Sequence, residues 1–179
     1  MKESLFIISL ALLLCFTFGC QQGEEVAELE AMKAQAEVEE QNIALVKRYN
    51  EAWNSGDVEA IKEIFSPDYV YHSGPGQDES LEETIEILKA EKAPYPDYTY
   101  IYEDILAKGD KVVLRHIFKG TFEGDIEGLP SATGKKIEYP GIEILRVENG
   151  KIVESWDVYD WLSEAQQLGF ELKPKEEEK

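Results

Sequence analysis

Two aspartates three residues apart, Asp157 and Asp160, stand among Trp156, Val158, Tyr159 and Trp161 near the end of the chain. Acid side chains in a stretch built for burial need a reason. One reason is a pocket in which a carboxylate moves protons. Burial raises a carboxyl pKa, so the group can hold a proton near neutral pH and act as a general acid. Its conjugate base can remove an activated proton. This chemistry needs no cofactor.

Other site types lack their residues. There is no GxSxG, P-loop or Rossmann glycine pattern. The histidines are His72 and His116, too few for a His-rich metal site, so no metal is expected. A Ser-His-Asp triad has no local signature. Cys15 and Cys20 are the two cysteines, and both fall in the N-terminal segment. The rest of the chain therefore offers no disulfide, zinc–thiolate site or cysteine nucleophile.

The elements that must position the acids are legible around them. Gly141 to Asp160 reads as a β-hairpin, with Asn149-Gly150 accepting the positive φ angles of a type I′ turn. Before it, the β-rich runs 98–106, 111–122 and 135–147 follow one another, with Gly109-Asp110 as a further tight turn. Consecutive strands with tight turns predict an antiparallel sheet. Residues 124–134 form a longer connection.

Upstream the period is helical. Ile43, Leu45, Val46, Tyr49, Ala52 and Trp53 mark one amphipathic helix from near Asn42. Ser55-Gly56-Asp57 ends it, and Asp57 caps a second carrying Val58, Ile61, Ile64 and Phe65, stopped by Pro67. A short strand, 69–72, and a Gly74-Pro75-Gly76 loop come next. Ser80 and Glu83 form a capping box for a third helix with Leu81, Ile85 and Leu88. A last short helix, 162–168, ends at Gly169. The expected fold is α+β: a curved antiparallel sheet wrapped on three helices, with a cone-shaped cavity that would take a hydrophobic small molecule.

The chain has 179 residues, 43% of them hydrophobic, enough for one packed domain with appendages. Its net charge of −19 argues against nucleic acid and against direct docking on anionic lipid. Lys2 precedes an apolar run, Leu5 to Phe18, too short to span a bilayer but suited to a signal peptide. Gly19-Cys20 then resembles the cleavage site of a bacterial lipoprotein. The organisation expected is a signal peptide over 1–19, a lipidated Cys20 with an acidic helical spacer over 20–41, a domain over 42–172 and a disordered charged tail over 173–179. This makes the protein an exported lipoprotein of the cell envelope that meets the membrane through a lipid anchor only. The layout also leaves the outer sheet face available for a homodimer.

Taken together, ALVKRYNEAWNSGDVEAIKEIFSPDYVYHSG, the segment GTFEGDIEGLPSATGKKIEYPGIEILRVENGKIVESWDVYD and the following QQLG resemble the SnoaL-like polyketide cyclase family, often called ester cyclases, of the NTF2-like superfamily. The resemblance implies a cone of curved sheet over helices. It also implies cofactor-free ring closure of a polyketide, with a pocket Asp as general acid–base. That Asp falls on Asp157. A pocket His of the family falls on Glu143, which lacks the donor–acceptor imidazole and places a second acid beside the first. Glu143 is thus itself a candidate base.

Strand alternation across a two-residue turn reads differently. It sets Glu143 opposite Trp156 and groups Glu143, Glu154, Trp156 and Asp160 on one face, with Asp157 on the other, unless a bulge intervenes. Asp157 ranks first by resemblance and Asp160 second by alternation. The expected lining is Tyr49 and Trp53 from the first helix, His72 after its strand, His116 alternating with Leu114 and Phe118, Tyr139 at the mouth, and Trp156.

Overall fold

The structure is a computed structural model that describes residues 2–125, 131–171 and 173, with side chains described from residue 25 onward. It divides into two compact units, Met1–Val38 and Glu39–Lys179. The first unit is helical throughout its described length and belongs to α1, Lys2–Ser55. Cys20 lies in this helix, but its side chain is outside the described set. So are Gly128-Leu129-Pro130 and the tail from Pro174. Among the described residues no helix is long and apolar enough to cross a membrane.

The second unit holds the end of α1, then α2 (Val58–Ile64), β1 (Phe65–Gly74), β2 (Gln77–Ser80), α3 (Leu81–Glu91), β3 (Thr99–Lys108), β4 (Lys111–Thr121), β5 (Lys136–Glu148), β6 (Lys151–Tyr159) and α4 (Trp161–Leu168). The six strands form one sheet in the order β2-β1-β6-β5-β4-β3. The meander β3 to β6 is antiparallel, as the tight turns predict. The pairing of β1 with β6 is parallel, a departure from the all-antiparallel expectation. It arises because β1 joins the far side of β6 with β2, α3, β3, β4 and β5 between them in the chain, so no hairpin fixes their relative direction.

Local chemistry explains most boundaries. Asp57 caps α2 by accepting from the Ala60 amide, and Ser80 with Glu83 closes a full capping box on α3. Asn149 and Gly150 both have positive φ, 52° and 73°, and Glu148 pairs with Lys151 across them. Pro67 does not end α2. The helix stops at Ile64 and Pro67 lies inside β1, where the register with β6 is irregular and a missing N–H is tolerated. β2 is a strand that the sequence hides, because Gln-Asp-Glu-Ser has no apolar alternation. It is made by the preceding turn and the cap that follows.

Side-chain amides close gaps in the backbone pairing. At the β3 edge, Asn54 Nδ2 donates to the Tyr100 carbonyl at 3.0 Å and its Oδ1 accepts from the Tyr100 amide at 2.7 Å. Gln167 does the same for Glu138 at the point where β6 has run out, at 2.8 and 3.0 Å. The core lies between helices and sheet around Phe118, which stacks on Tyr139 with centroids 4.6 Å apart. Burying such a ring contributes about 1.5–3 kcal/mol relative to exposing it.

Candidate active site

The inner face of the sheet is set by one irregularity. Arg146 pairs with Glu154 and Val147 with Ile152, so Val153 is an additional residue on β6, a β-bulge. Beyond it the register is displaced by one from simple alternation. Glu143 therefore pairs with Asp157, and Ile144 with Trp156. Glu143 and Asp157 both turn into the cavity, and Trp156 turns out.

The cavity encloses about 360 Å³ between α1, α3 and the sheet. Tyr49 and Trp53, one helical turn apart, descend from α1. Thr84, Ile87 and Glu91 come from α3, and Tyr100 and Tyr102 alternate along β3. His116, Tyr139, Glu143, Ser155 and Asp157 complete the sheet wall. Of the residues singled out in the sequence, Tyr49, Trp53, His116, Tyr139, Glu143 and Asp157 are brought together here.

Three others lie elsewhere. His72 pairs with Trp156 across β1 and β6, so the two share the outer face. There their rings stack at 4.8 Å, and His72 Nδ1 lies 2.7 Å from Asp78 Oδ1. The bulge puts Trp156 on this side. Asp160 follows the last residue of β6, so strand alternation no longer governs it. Its Oδ1 accepts from the Ser163 amide at 2.9 Å as the N-cap of α4.

The electrostatics of the cavity are those of buried acids. Glu143 is 7% exposed. Burial, and then the charge of Asp157, hold its carboxyl well above the usual range, partly offset by a hydrogen bond with Tyr49. Burial pushes Asp157 up to about 7 against the pull of the Val158 backbone, with Glu91 adding to the rise. Asp157 Oδ1 is buried and has no hydrogen-bond partner among the described residues. His116 is 3% exposed, and burial lowers it to about 4, so its imidazole is neutral at physiological pH. Neither of its ring nitrogens has a hydrogen-bond partner among the described residues. Its ring lies over Gly141, its neighbour on β5, where any Cβ would collide with Nε2 and Cε1.

Glu91 was not foreseen from the sequence. It accepts from Trp53 Nε1 at 3.0 Å and from the Tyr100 hydroxyl at 2.6 Å, and burial raises its pKa. The signal was available, since Glu91 follows Thr84 and Leu88 at helical spacing on the buried stripe of α3. Tyr100 and Tyr102 were equally legible as alternate residues of one strand. Among the described residues no group of three or more His, Cys, Asp or Glu is placed to hold a metal ion.

A curved, open six-stranded sheet closed by helices around an acid-bearing aromatic cavity defines an NTF2-like α+β protein. Residues 43–168 match the SnoaL-like polyketide cyclase family, and the chain belongs to that family. Among solved structures it is similar to IdmH of Streptomyces antibioticus, a proposed polyketide cyclase: 32% identity over 73% of this chain and 99% of that one, with a TM-score of 0.67. AclR of Streptomyces galilaeus, a proposed hydroxylase, is 29% identical over 76% of this chain and 87% of its own, with a TM-score of 0.68. TsrD of Streptomyces laurentii is 27% identical over 72% and 95%, with a TM-score of 0.65. No curated protein matches the chain in sequence.

Proposed function

We propose that the protein carries out cofactor-free acid–base chemistry on a small carbonyl or ester compound held in the aromatic cavity. One observation carries this reading: Asp157 faces Glu143 in register, with one carboxylate oxygen buried and unpartnered and its pKa pushed up to about 7. A carboxyl poised near neutrality can remove an α-proton as a base and return it to a developing alkoxide as an acid. Glu143 stays protonated beside it. As a neutral acid it can donate a hydrogen bond to an oxygen that gains charge, the part an oxyanion donor plays. The aromatic walls exclude water and strengthen both interactions. Ring closure of a polyketide-like ester is the family's form of this chemistry.

A second reading rests on the N-terminus and on Glu143. A Gly19-Cys20 lipoprotein-like sequence supports an exported protein tethered to the cell envelope through lipidated Cys20. Glu143 occupies the position where the family resemblance sets a histidine. In this reading the cavity holds a hydrophobic small molecule without turning it over. Exposed Val113, Ile142 and Val158 on the outer sheet face support a homodimer in either case.

The test is to identify by mass spectrometry what co-purifies with the full chain, then to follow its conversion by wild type and Asp157→Asn. Turnover by the wild type alone supports catalysis. Binding by both without turnover by either selects the binding protein.

A further inference from the structure

The cavity has an unbalanced charge composition. Four carboxyl groups line it: Glu79, Glu91, Glu143 and Asp157. Among the described residues no lysine or arginine does. Seven of the chain's nine tyrosines are in the wall, together with Trp53. Three acceptors on residues of this wall have no donor among the described residues: Asp157 Oδ1, Glu79 Oε2 and the unprotonated nitrogen of His116, a residue that is 3% exposed. A buried acceptor without a donor carries its desolvation penalty uncompensated, so an occupant that brings N–H groups relieves a cost already present.

We propose that the natural occupant of the cavity is a cation: an organic amine with an aromatic or alicyclic body, whose ammonium group sits against Glu143 and Asp157 and donates to the unpartnered acceptors. Aromatic walls backed by carboxylates are the environment that holds organic ammonium groups, by attraction to ring faces and to the acids together. A carboxylate or phosphate ligand would meet four acids and no cation. The net charge of −19 acts in the same sense at long range, drawing cations in and repelling anions. The inference concerns the charge of the occupant and stands whether or not that occupant is turned over.

Proton linkage follows from the neighbours. Facing the acid pair are Tyr49 from α1, Tyr71 from β1, Glu79 from β2, Glu91 from α3, Tyr102 from β3 and neutral His116 from β4. None supplies a positive charge, so in the empty cavity Asp157 holds its proton up to about pH 7. An entering ammonium ion ionises it and the proton leaves to solvent.

Isothermal titration calorimetry of the full-length protein tests this with aryl-alkylamines of one to three rings, each matched to its alcohol and its carboxylate. 2-(1-Naphthyl)ethylamine, 2-(1-naphthyl)ethanol and 1-naphthylacetate form one such set. The amine should bind at least about tenfold more tightly than the alcohol, and the carboxylate most weakly. Amine affinity should rise between about pH 5.5 and 7.5 with release of a proton, while alcohol affinity stays flat. Glu143→Gln/Asp157→Asn should remove the preference and keep alcohol binding. The wild-type pH series stands alone if that variant does not fold. Equal or tighter binding of alcohols or carboxylates across the panel, no amine binding in any set, or amine binding without proton release overturns the proposal.

Discussion

Glu143 and Asp157 stand directly opposite each other on β5 and β6, two acids paired across strands at the wall of an aromatic cavity. Like charges in this relation are unfavourable, and burial makes them more so. The pair persists because it does not carry two charges at neutral pH. Glu143, the deeper acid, keeps its proton. Asp157 is the one that titrates near neutrality.

The first prediction is a dependence of stability on pH. The Asp157 carboxyl rises from about 4 in an unfolded chain to about 7 in the folded one. The folded chain then binds more protons between those values. Its contribution to stability is fully present below about pH 4 and is lost as pH rises towards 7. Relative to Asp157→Asn, the wild type should lose on the order of 4 kcal/mol across that window. Urea midpoints measured at half-unit steps check this; parallel curves would mean that Asp157 ionises as it does in water.

A second prediction concerns the order in which the pair titrates. The charge of Asp157 raises Glu143, whereas Glu143 is still neutral when Asp157 ionises. Side-chain carboxyl carbons followed by NMR should therefore show the Asp157 midpoint within about one unit of its wild-type value in Glu143→Gln. Asp157→Asn should lower the Glu143 midpoint by more than that. The reverse pattern would assign the first ionisation to Glu143.

Gly141 gives the third. The His116 ring occupies the space where a side chain at position 141 would begin, so Gly141→Ala forces the imidazole aside. Overpacking of this kind costs about 1–3 kcal/mol. His116→Ala in the same chain should restore most of the loss, since the colliding ring is gone. A double-mutant cycle by denaturant unfolding measures the coupling. Additive costs would show that the two positions do not compete for space.

Asp160 supplies the fourth, a contrast with Asp157. As the N-cap of α4 it should cost about 1 kcal/mol when changed to Ala, with ligand affinity and pH profile unchanged. Thermal unfolding and ligand titration on one preparation separate the two effects. A loss of affinity without a loss of stability would return Asp160 to the site.

Much of this architecture is written locally in the sequence. The capping box at Ser80, the Asp57 cap and the positive φ angles at Asn149-Gly150 are matters of nearest neighbours, and each is found where the residues imply it. What could not be read is what depends on distant partners. β2 has no alternation to announce it, and the direction of β1 is fixed by β6, some eighty residues on. The site divides in the same way. Tyr49, Trp53, His116 and Tyr139 follow helical or strand periodicity into the cavity. Trp156 does not, because a bulge at Val153 shifts the faces of β6, and His72 takes the outer face because its strand neighbours Tyr71 and Ser73 take the cavity.

That bulge gives β6 something like a reading frame. Past Val153 the strand carries two interleaved messages: Ser155, Asp157 and Tyr159 for the cavity, Trp156 and Val158 for the outside. Inserting one residue between Glu154 and Trp156 would exchange them and give the cavity a tryptophan where it has an acid. Inserting two would leave the assignment intact. In this segment of the protein, an even change in length is a small event and an odd one replaces the chemistry.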